Sequence, residues 1–262
     1  MDELKIFLLG VVQGLTEFLP VSSSGHIEIY KYFFNINLIK NQGLEFSLVL
    51  HFATALSTLW VFQNDILLIL KNKTKKRNIF LSSIIISMIP ASIVGLFFED
   101  YINVFFDSNI LFVGTMLIIT SVLLYKTDKL SSNSRLNNIT IKNGFIIGTI
   151  QALAILPGIS RSGATIAMAV LLGINKSEAA KFSFLMVIPL IFGSMAKKLF
   201  FSEVITFEFT ASLFSAFISA FVTGILACRL MIKIVENSKL KYFAFYCFIL
   251  GFFVVSYGVI QF

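Results

Sequence analysis

An arginine stands inside an apolar stretch, LPGISRSGATIA (residues 156–167), in company with Ser160, Ser162 and Thr165 and just after a Pro157-Gly158 pair. A cation at the centre of a membrane helix costs roughly 2.5–3.5 kcal/mol or more, so Arg161 requires a counter-charge. A phosphate or carboxylate ligand supplies one by accepting a bidentate hydrogen bond from the guanidinium. The structural alternative is a side-chain carboxylate, Glu17 or Glu45. The serines before Arg161 place it in the first turn of a restarting helix, where a cation opposes the helix dipole and an anion is favoured. Thr165 lies four residues on, shares the helix face of Arg161 and can extend its grip.

A second polar set interrupts the N-terminal apolar stretch, QGLTEFLPVSSSGH (residues 13–26). Gln13 and Glu17 are four residues apart and project from one helical face. A carboxylate in such a place reads as functional: Glu17 could hold a divalent cation, orient a histidine or act as a base. His26 follows Ser23 by three residues, which puts imidazole and hydroxyl on neighbouring turns of one face. That suits a serine activated by a histidine base, or a histidine attacking phosphorus directly. His51 stands between two readings, lining a cavity or packing. Cys228 and Cys247 lie in apolar stretches without metal-type spacing and read as core.

The elements that must carry these groups follow from composition. Of 262 residues, 57% are hydrophobic, 13% are charged and thirty are phenylalanine, with a mean hydropathy of +0.88. Apolar stretches of about 20 residues, enough to cross a hydrocarbon layer of ~30 Å, recur along the chain. The class is all-α: one polytopic integral membrane domain over residues 1–262. Six full spans are expected, at about 45–64, 78–98, 109–126, 182–200, 207–228 and 242–261. The formal net charge of +7 sits in loops, which indicates cytoplasmic connectors and anionic lipid headgroups and no nucleic acid. Asp2, Glu3, Gln13 and Glu17 argue against a cleaved signal peptide at the N-terminus.

Loop charges order the spans. The stretches 71–77 (KNKTKKR), 126–142 and 229–241 are basic, whereas 98–109 holds Glu99, Asp100 and Asp107 and no cation. The positive-inside rule makes the basic connectors cytoplasmic and 98–109 external, with Lys197-Lys198 as the exception. Segments 3–34 and 143–174, both broken by Pro, Gly and Ser, then have to enter and leave on one side. They are expected as two re-entrant hairpins, the first opening outside and the second inside. Such irregular backbone is tolerated only where it is buried in protein or lines a cavity.

The two broken segments also align without a gap. VQGLTEFLPVSSSGH (12–26) matches IQALAILPGISRSGA (150–164), pairing Gln13 with Gln151, Leu15 with Leu153, Ser22 with Ser160, Ser24 with Ser162 and Gly25 with Gly163. Three spans between the copies predict opposite orientations. This is an inverted-topology repeat, with one half at about 1–125 and the other at about 141–262, meeting near the midplane. Ser22 and Ser160 are expected N-caps of the restarting helices. Two helix N-termini aimed at one place make an anion site.

QGLTEFLPVSSSGH and LPGISRSGAT together resemble the two signature motifs of the bacterial undecaprenyl-diphosphate phosphatase family, also called the bacitracin-resistance protein family. The resemblance runs over the whole chain, including SEAAKFSF after the second motif. It implies hydrolysis of undecaprenyl diphosphate to the monophosphate carrier lipid and inorganic phosphate. It also implies a multi-pass protein of the bacterial plasma membrane, a site facing the outer side and dependence on a divalent cation, Mg²⁺ or Ca²⁺. Carried onto this chain, it gives Glu17, Ser23 and His26 from the first motif and Ser160, Arg161 and Thr165 from the second; the catalytic set is Glu17, Ser23, His26 and Arg161, with Glu17 orienting His26 or holding the metal. Gln13, Ser22, Ser160, Ser162 and Thr165 are the substrate-binding set. Gln13 replaces a glutamate found in many members, which weakens a metal role there. The expected partners are a polyprenyl diphosphate lipid and membrane lipids, and a homodimer is compatible with this picture.

Two other classes compete with the enzyme. A carrier for a polyprenyl phosphate would use the arginine and the helix ends but not a Ser–His–Glu set. An anion channel would need a polar stripe along several spans, and the sequence has none.

Overall fold

The computed structural model describes residues 2–34, 40–71, 74–98, 101–102, 104–106, 109–130, 136, 138–201, 210–236 and 240–260. Among them the regular structure is helical, apart from one isolated parallel bridge between Leu136 and Ile174. The helices are α1 (Asp2–Phe18), α2 (Ser23–Phe33), α3 (Lys40–Val61), α4 (Gln63–Lys71), α5 (Lys75–Phe97), α6 (Ile110–Leu130), α7 (Ile141–Leu153), α8 (Arg161–Leu171), α9 (Lys176–Phe201), α10 (Ala211–Glu236) and α11 (Leu240–Ile260). Five of these, α5, α6, α9, α10 and α11, are long and apolar enough to cross a membrane, and α3 with α4 makes a sixth candidate if the bent pair is one span. The chain is a polytopic membrane protein.

The first expected span, 45–64, is bent near its end. The helix runs to Val61, turns by 65° at buried Phe62 and continues as the separate helix α4. The polar start of α4, Gln63-Asn64-Asp65, explains the turn, because Asp65 pairs with Lys181 on α9 instead of following α3 outward. Leu67, Leu68 and Leu70 remain exposed on α4.

Both broken segments are helix–break–helix units, α1–α2 and α7–α8. In the first, Pro20 removes a backbone donor and disfavours helix at Leu19. The Val21 amide donates to the Leu19 carbonyl at 2.8 Å to close a tight turn. In the second, Gly158 adopts φ +95, a conformation that L side chains rarely take. A Cβ there would lie 2.5 Å from the Val113 carbonyl oxygen on α6. Thr120, also on α6, clamps this break from both sides: its hydroxyl donates to the Gly158 carbonyl at 3.0 Å and accepts from the Ser160 amide at 3.1 Å.

Small residues let the long helices close on one another, as expected where lipid gives helices little hydrophobic reason to associate. Gly10 and Gly14 of α1 lie against Ala216, Ser219, Ala220 and Thr223 of α10, and Gly144 and Gly148 of α7 against Ser83 and Ser87 of α5. Gly114 and Gly251 bring α6 and α11 into backbone contact. Helix α3 packs on α10, and α9 on α5. The largest buried cluster gathers Phe182, Met186, Ile166 and Met231, while Phe245, Phe248, Phe252 and Phe253 of α11 face outward. Cys228 and Cys247 are buried free thiols, as expected.

Candidate active site at the crossing of the two breaks

The two breaks meet backbone to backbone. A Cβ on Gly25 of α2 would stand 3.1 Å from Gly158 Cα, and one on Gly163 of α8 would stand 3.0 Å from Pro20 Cβ. Ser162 adds a hydrogen bond across the crossing, its hydroxyl donating to the Leu19 carbonyl at 3.2 Å. Cys247 of α11 reaches the Pro20 carbonyl with Sγ at 3.7 Å.

Each helix restart is capped as expected. The Gly25 amide donates to Ser22 Oγ at 3.2 Å, and the Gly163 amide to Ser160 Oγ at 3.0 Å. The next serine hydroxyl lies close in both, Ser24 at 3.3 Å and Ser162 at 3.4 Å. The caps differ in backbone: Ser160 is extended at φ −74, whereas Ser22 takes φ +70, the left-handed region that a non-glycine residue enters at a cost of about 1–3 kcal/mol. The strained residue immediately precedes Ser23.

Glu17, at the end of α1, is the hub. Its carboxylate is 6% exposed and meets three donors, so it is buried but satisfied. Arg161 forms an ion pair with Oε1. Ser23 donates its hydroxyl to Oε2 at 2.7 Å, and Gln13 donates its amide to the same oxygen at 2.9 Å. The Gln13 amide nitrogen also reaches His51 Nδ1 at 3.1 Å, and that nitrogen lies 3.6 Å from Glu17 Oε2. Gln13 Oε1 remains a buried oxygen with no hydrogen-bond partner among the described residues. The carboxylate alternative for Arg161 is therefore realised through Glu17; Glu45 lies among residues whose side chains are outside the described structure.

His26 turns both ring nitrogens to other partners. Its Nδ1 lies 2.8 Å from the Ser22 carbonyl oxygen, and its Nε2 lies 2.7 Å from the hydroxyl of Tyr246 on α11. The expectation that Glu17 orients His26, or that His26 activates Ser23, is corrected: Ser23 turns to Glu17, and the histidine beside Glu17 is His51. His26 instead lines a groove of about 270 Å³ together with Val12, Ile29, Tyr30, Phe33 and Phe34. Thr165 is turned away from the crossing, donating to the Arg161 carbonyl at 2.8 Å and lying 2.5 Å from the Ser183 hydroxyl of α9.

The geometry thus joins Gln13, Glu17, Ser23 and Arg161, keeps His26 nearby on α2, and uses the hydroxyls of Ser22, Ser160, Ser162 and Thr165 in caps and packing. Sequence reasoning missed Tyr246, Thr120 and Ser183, which carry no motif. It left His51 undecided, although His51 shares an apolar helix with Thr54 and Ser57, which was a usable signal.

An acidic acceptor bonded to a serine, with a guanidinium on its other oxygen, suits displacement at a phosphoryl group. The sequence pattern that defines the family described as "Bacitracin resistance protein BacA" matches residues 6–253. The chain belongs to this family. Among BacA relatives it is 49% identical to the undecaprenyl-diphosphatase of Christiangramia forsetii over the whole of both chains. It is 44% identical to that of Bacteroides fragilis, again over the whole of both chains. It is also 44% identical to that of Methanococcus vannielii, over 95% of this chain and 98% of the relative.

Proposed function

We propose that this chain is an integral-membrane undecaprenyl-diphosphate phosphatase. It removes the terminal phosphate of undecaprenyl diphosphate, returns the monophosphate carrier to cell-wall synthesis and thereby confers bacitracin resistance. The observation that carries the site assignment is the Ser23 hydroxyl donating to a carboxylate whose other oxygen holds Arg161 from the opposite break.

Ser23 Oγ attacks the terminal phosphorus, and its proton passes to Glu17 Oε2. The bond from phosphorus to the bridging oxygen breaks, and undecaprenyl phosphate leaves. The phosphoseryl group is then hydrolysed by water, whose proton His26 accepts, while Glu17 returns its proton to the departing Ser23 Oγ, which frees inorganic phosphate and restores Ser23. Arg161 turns from Glu17 to the phosphoryl oxygens and offsets the charge that develops there, the main demand in such a displacement. The first-turn amides of α2 and α8 bias the crossing toward an anion.

A divalent cation, Mg²⁺ or Ca²⁺, suits an oxygen donor set, and Gln13 Oε1 is a buried oxygen in want of a partner beside the Glu17 carboxylate. Gln13 and Glu17 would hold the cation, with phosphate oxygens completing its shell, and it would supply Lewis-acid neutralisation of the phosphoryl group. No group of three or more His, Cys, Asp or Glu that could cage a metal occurs among the described residues.

The apolar groove lined by His26 takes the start of the prenyl tail. At about 270 Å³ it lies just under the ~300 Å³ at which ordinary small-molecule pockets begin, so most of an undecaprenyl chain lies along the lipid-facing helices. The pairings of α1 with α10 and α7 with α5, and of α3 with α10 and α9 with α5, exchange when the halves 1–125 and 141–262 are swapped. They support an inverted repeat with two re-entrant units. With basic connectors inside, α1–α2 opens to the outer face of the plasma membrane, which is where this reading puts the substrate headgroup.

Phosphate release from farnesyl diphosphate by purified protein in detergent micelles, with and without EDTA, tests the function. Arg161→Ala should abolish release while the protein stays folded, and near-normal release would sink the clamp. A pure carrier would move lipid without releasing phosphate.

A further inference from the structure

The contact between His26 and Tyr246 joins α2, in the first broken unit, to α11, the last helix of the chain. A carbonyl oxygen can only accept, so the 2.8 Å contact with Ser22 requires the proton on Nδ1. In the neutral ring Nε2 is then bare, and its lone pair accepts from the Tyr246 hydroxyl at 2.7 Å. The two rings are parallel within 8°, with centroids 5.6 Å apart, so the tyrosine constrains the plane of the imidazole as well as its tip. The neighbouring residue, Cys247, is buried and holds the Pro20 carbonyl, which anchors α11 on this break and sets where Tyr246 reaches. His26 also lines the apolar groove, and the Tyr246 side of α11 is exposed, so the hydroxyl has room to swing aside.

We infer that Tyr246 is the positioning residue for His26: it holds the ring plane, keeps Nε2 as the accepting nitrogen and releases that nitrogen to the hydrolytic water once lipid fills the groove. This rests on the reading above, in which His26 takes part in turnover. Tyr246 acts through the imidazole. A tyrosine does this better than a phenylalanine of the same shape only through its hydroxyl, so the Tyr246→Phe substitution isolates the claim while keeping the ring stack.

The experiment uses full-length protein in detergent micelles with farnesyl diphosphate as the probe, comparing wild type, Tyr246→Phe and His26→Gln. Ring-¹⁵N histidine spectra are recorded alongside. The chain has only two histidines, so His26→Gln assigns both ring systems. The inference expects Tyr246→Phe to lower kcat roughly five- to tenfold, the loss of about one neutral hydrogen bond, with KM within about twofold. It also expects the acid limb of the kcat/KM profile to move and the His26 Nε2 resonance to shift, while Nδ1 stays protonated. A Tyr246→Phe protein whose pH profile and Nε2 resonance superimpose on wild type overturns it, even with kcat reduced, because a mere packing tether would behave that way. His26→Gln turning over at the wild-type rate overturns the part given to His26, and this inference with it, while leaving Ser23, Glu17 and Arg161 standing. The ¹⁵N spectra decide the case without turnover should either variant be inactive.

Discussion

Arg161 of α8 and Glu17 of α1 close an ion pair across the point where the two breaks meet, so each half of the chain supplies the counter-charge of the other. Glu17 is nearly inaccessible, whereas the Arg161 side chain keeps 23% of its surface. The guanidinium therefore has the freedom to turn toward an incoming phosphate.

Removing one partner of such a pair strands the other charge, at a cost of about 3–5 kcal/mol, whereas replacing both is close to neutral. Glu17→Gln and Arg161→Met should each lower the thermal midpoint in detergent, and the double variant should recover most of it. None of the three should release phosphate. A double variant as unstable as either single one would mean that the pair is not the term being lost.

Acid-quenched protein caught during turnover of ³²P-labelled substrate should carry label on Ser23, because a phosphoserine survives acid and a phosphohistidine does not. Ser23→Ala should carry none and should release phosphate at least ~10³-fold more slowly. His26→Gln should accumulate the labelled protein. Acid-labile label that persists in Ser23→Ala would reassign the nucleophile to a histidine.

Gln13→Glu places a second carboxylate against Glu17, which is repulsive unless a cation lies between them. Turnover of this variant should depend more steeply on added Mg²⁺ or Ca²⁺ than that of wild type and should half-saturate at a lower concentration. An unchanged titration would remove Gln13 from the cation's shell.

Gln151, the counterpart of Gln13 in the second unit, is 1% exposed, and neither of its amide atoms has a hydrogen-bond partner among the described residues. An unsatisfied buried polar group costs about 1–3 kcal/mol. Gln151→Leu should therefore raise the thermal midpoint and leave phosphate release intact. Loss of activity without loss of stability would show that the amide serves the reaction.

Much of this arrangement was legible in the residues. Pro20, Pro157 and Gly158 announce the breaks, the serines announce the caps, and an arginine with a glutamate in apolar surroundings announces a pairing. The geometry that decides roles was hidden. Ser23 and His26 share a helix face by spacing, but the φ +70 of Ser22 changes the entry into α2, and Ser23 bonds to Glu17. Tyr246 is one of seven tyrosines in an outward-facing aromatic helix, so only tertiary packing sets it apart. The bend at Phe62 follows from an Asp65–Lys181 contact between helices distant in sequence.

At the crossing, Gly25 and Gly158 touch through their main chains, with no side chain between them. The gap separating serine from guanidinium is consequently gauged by the thickness of two peptide strands. A single methyl group at Gly25 would act as a wedge. The greasy exterior can drift through many substitutions without altering that calibre, because none of its atoms helps to set it.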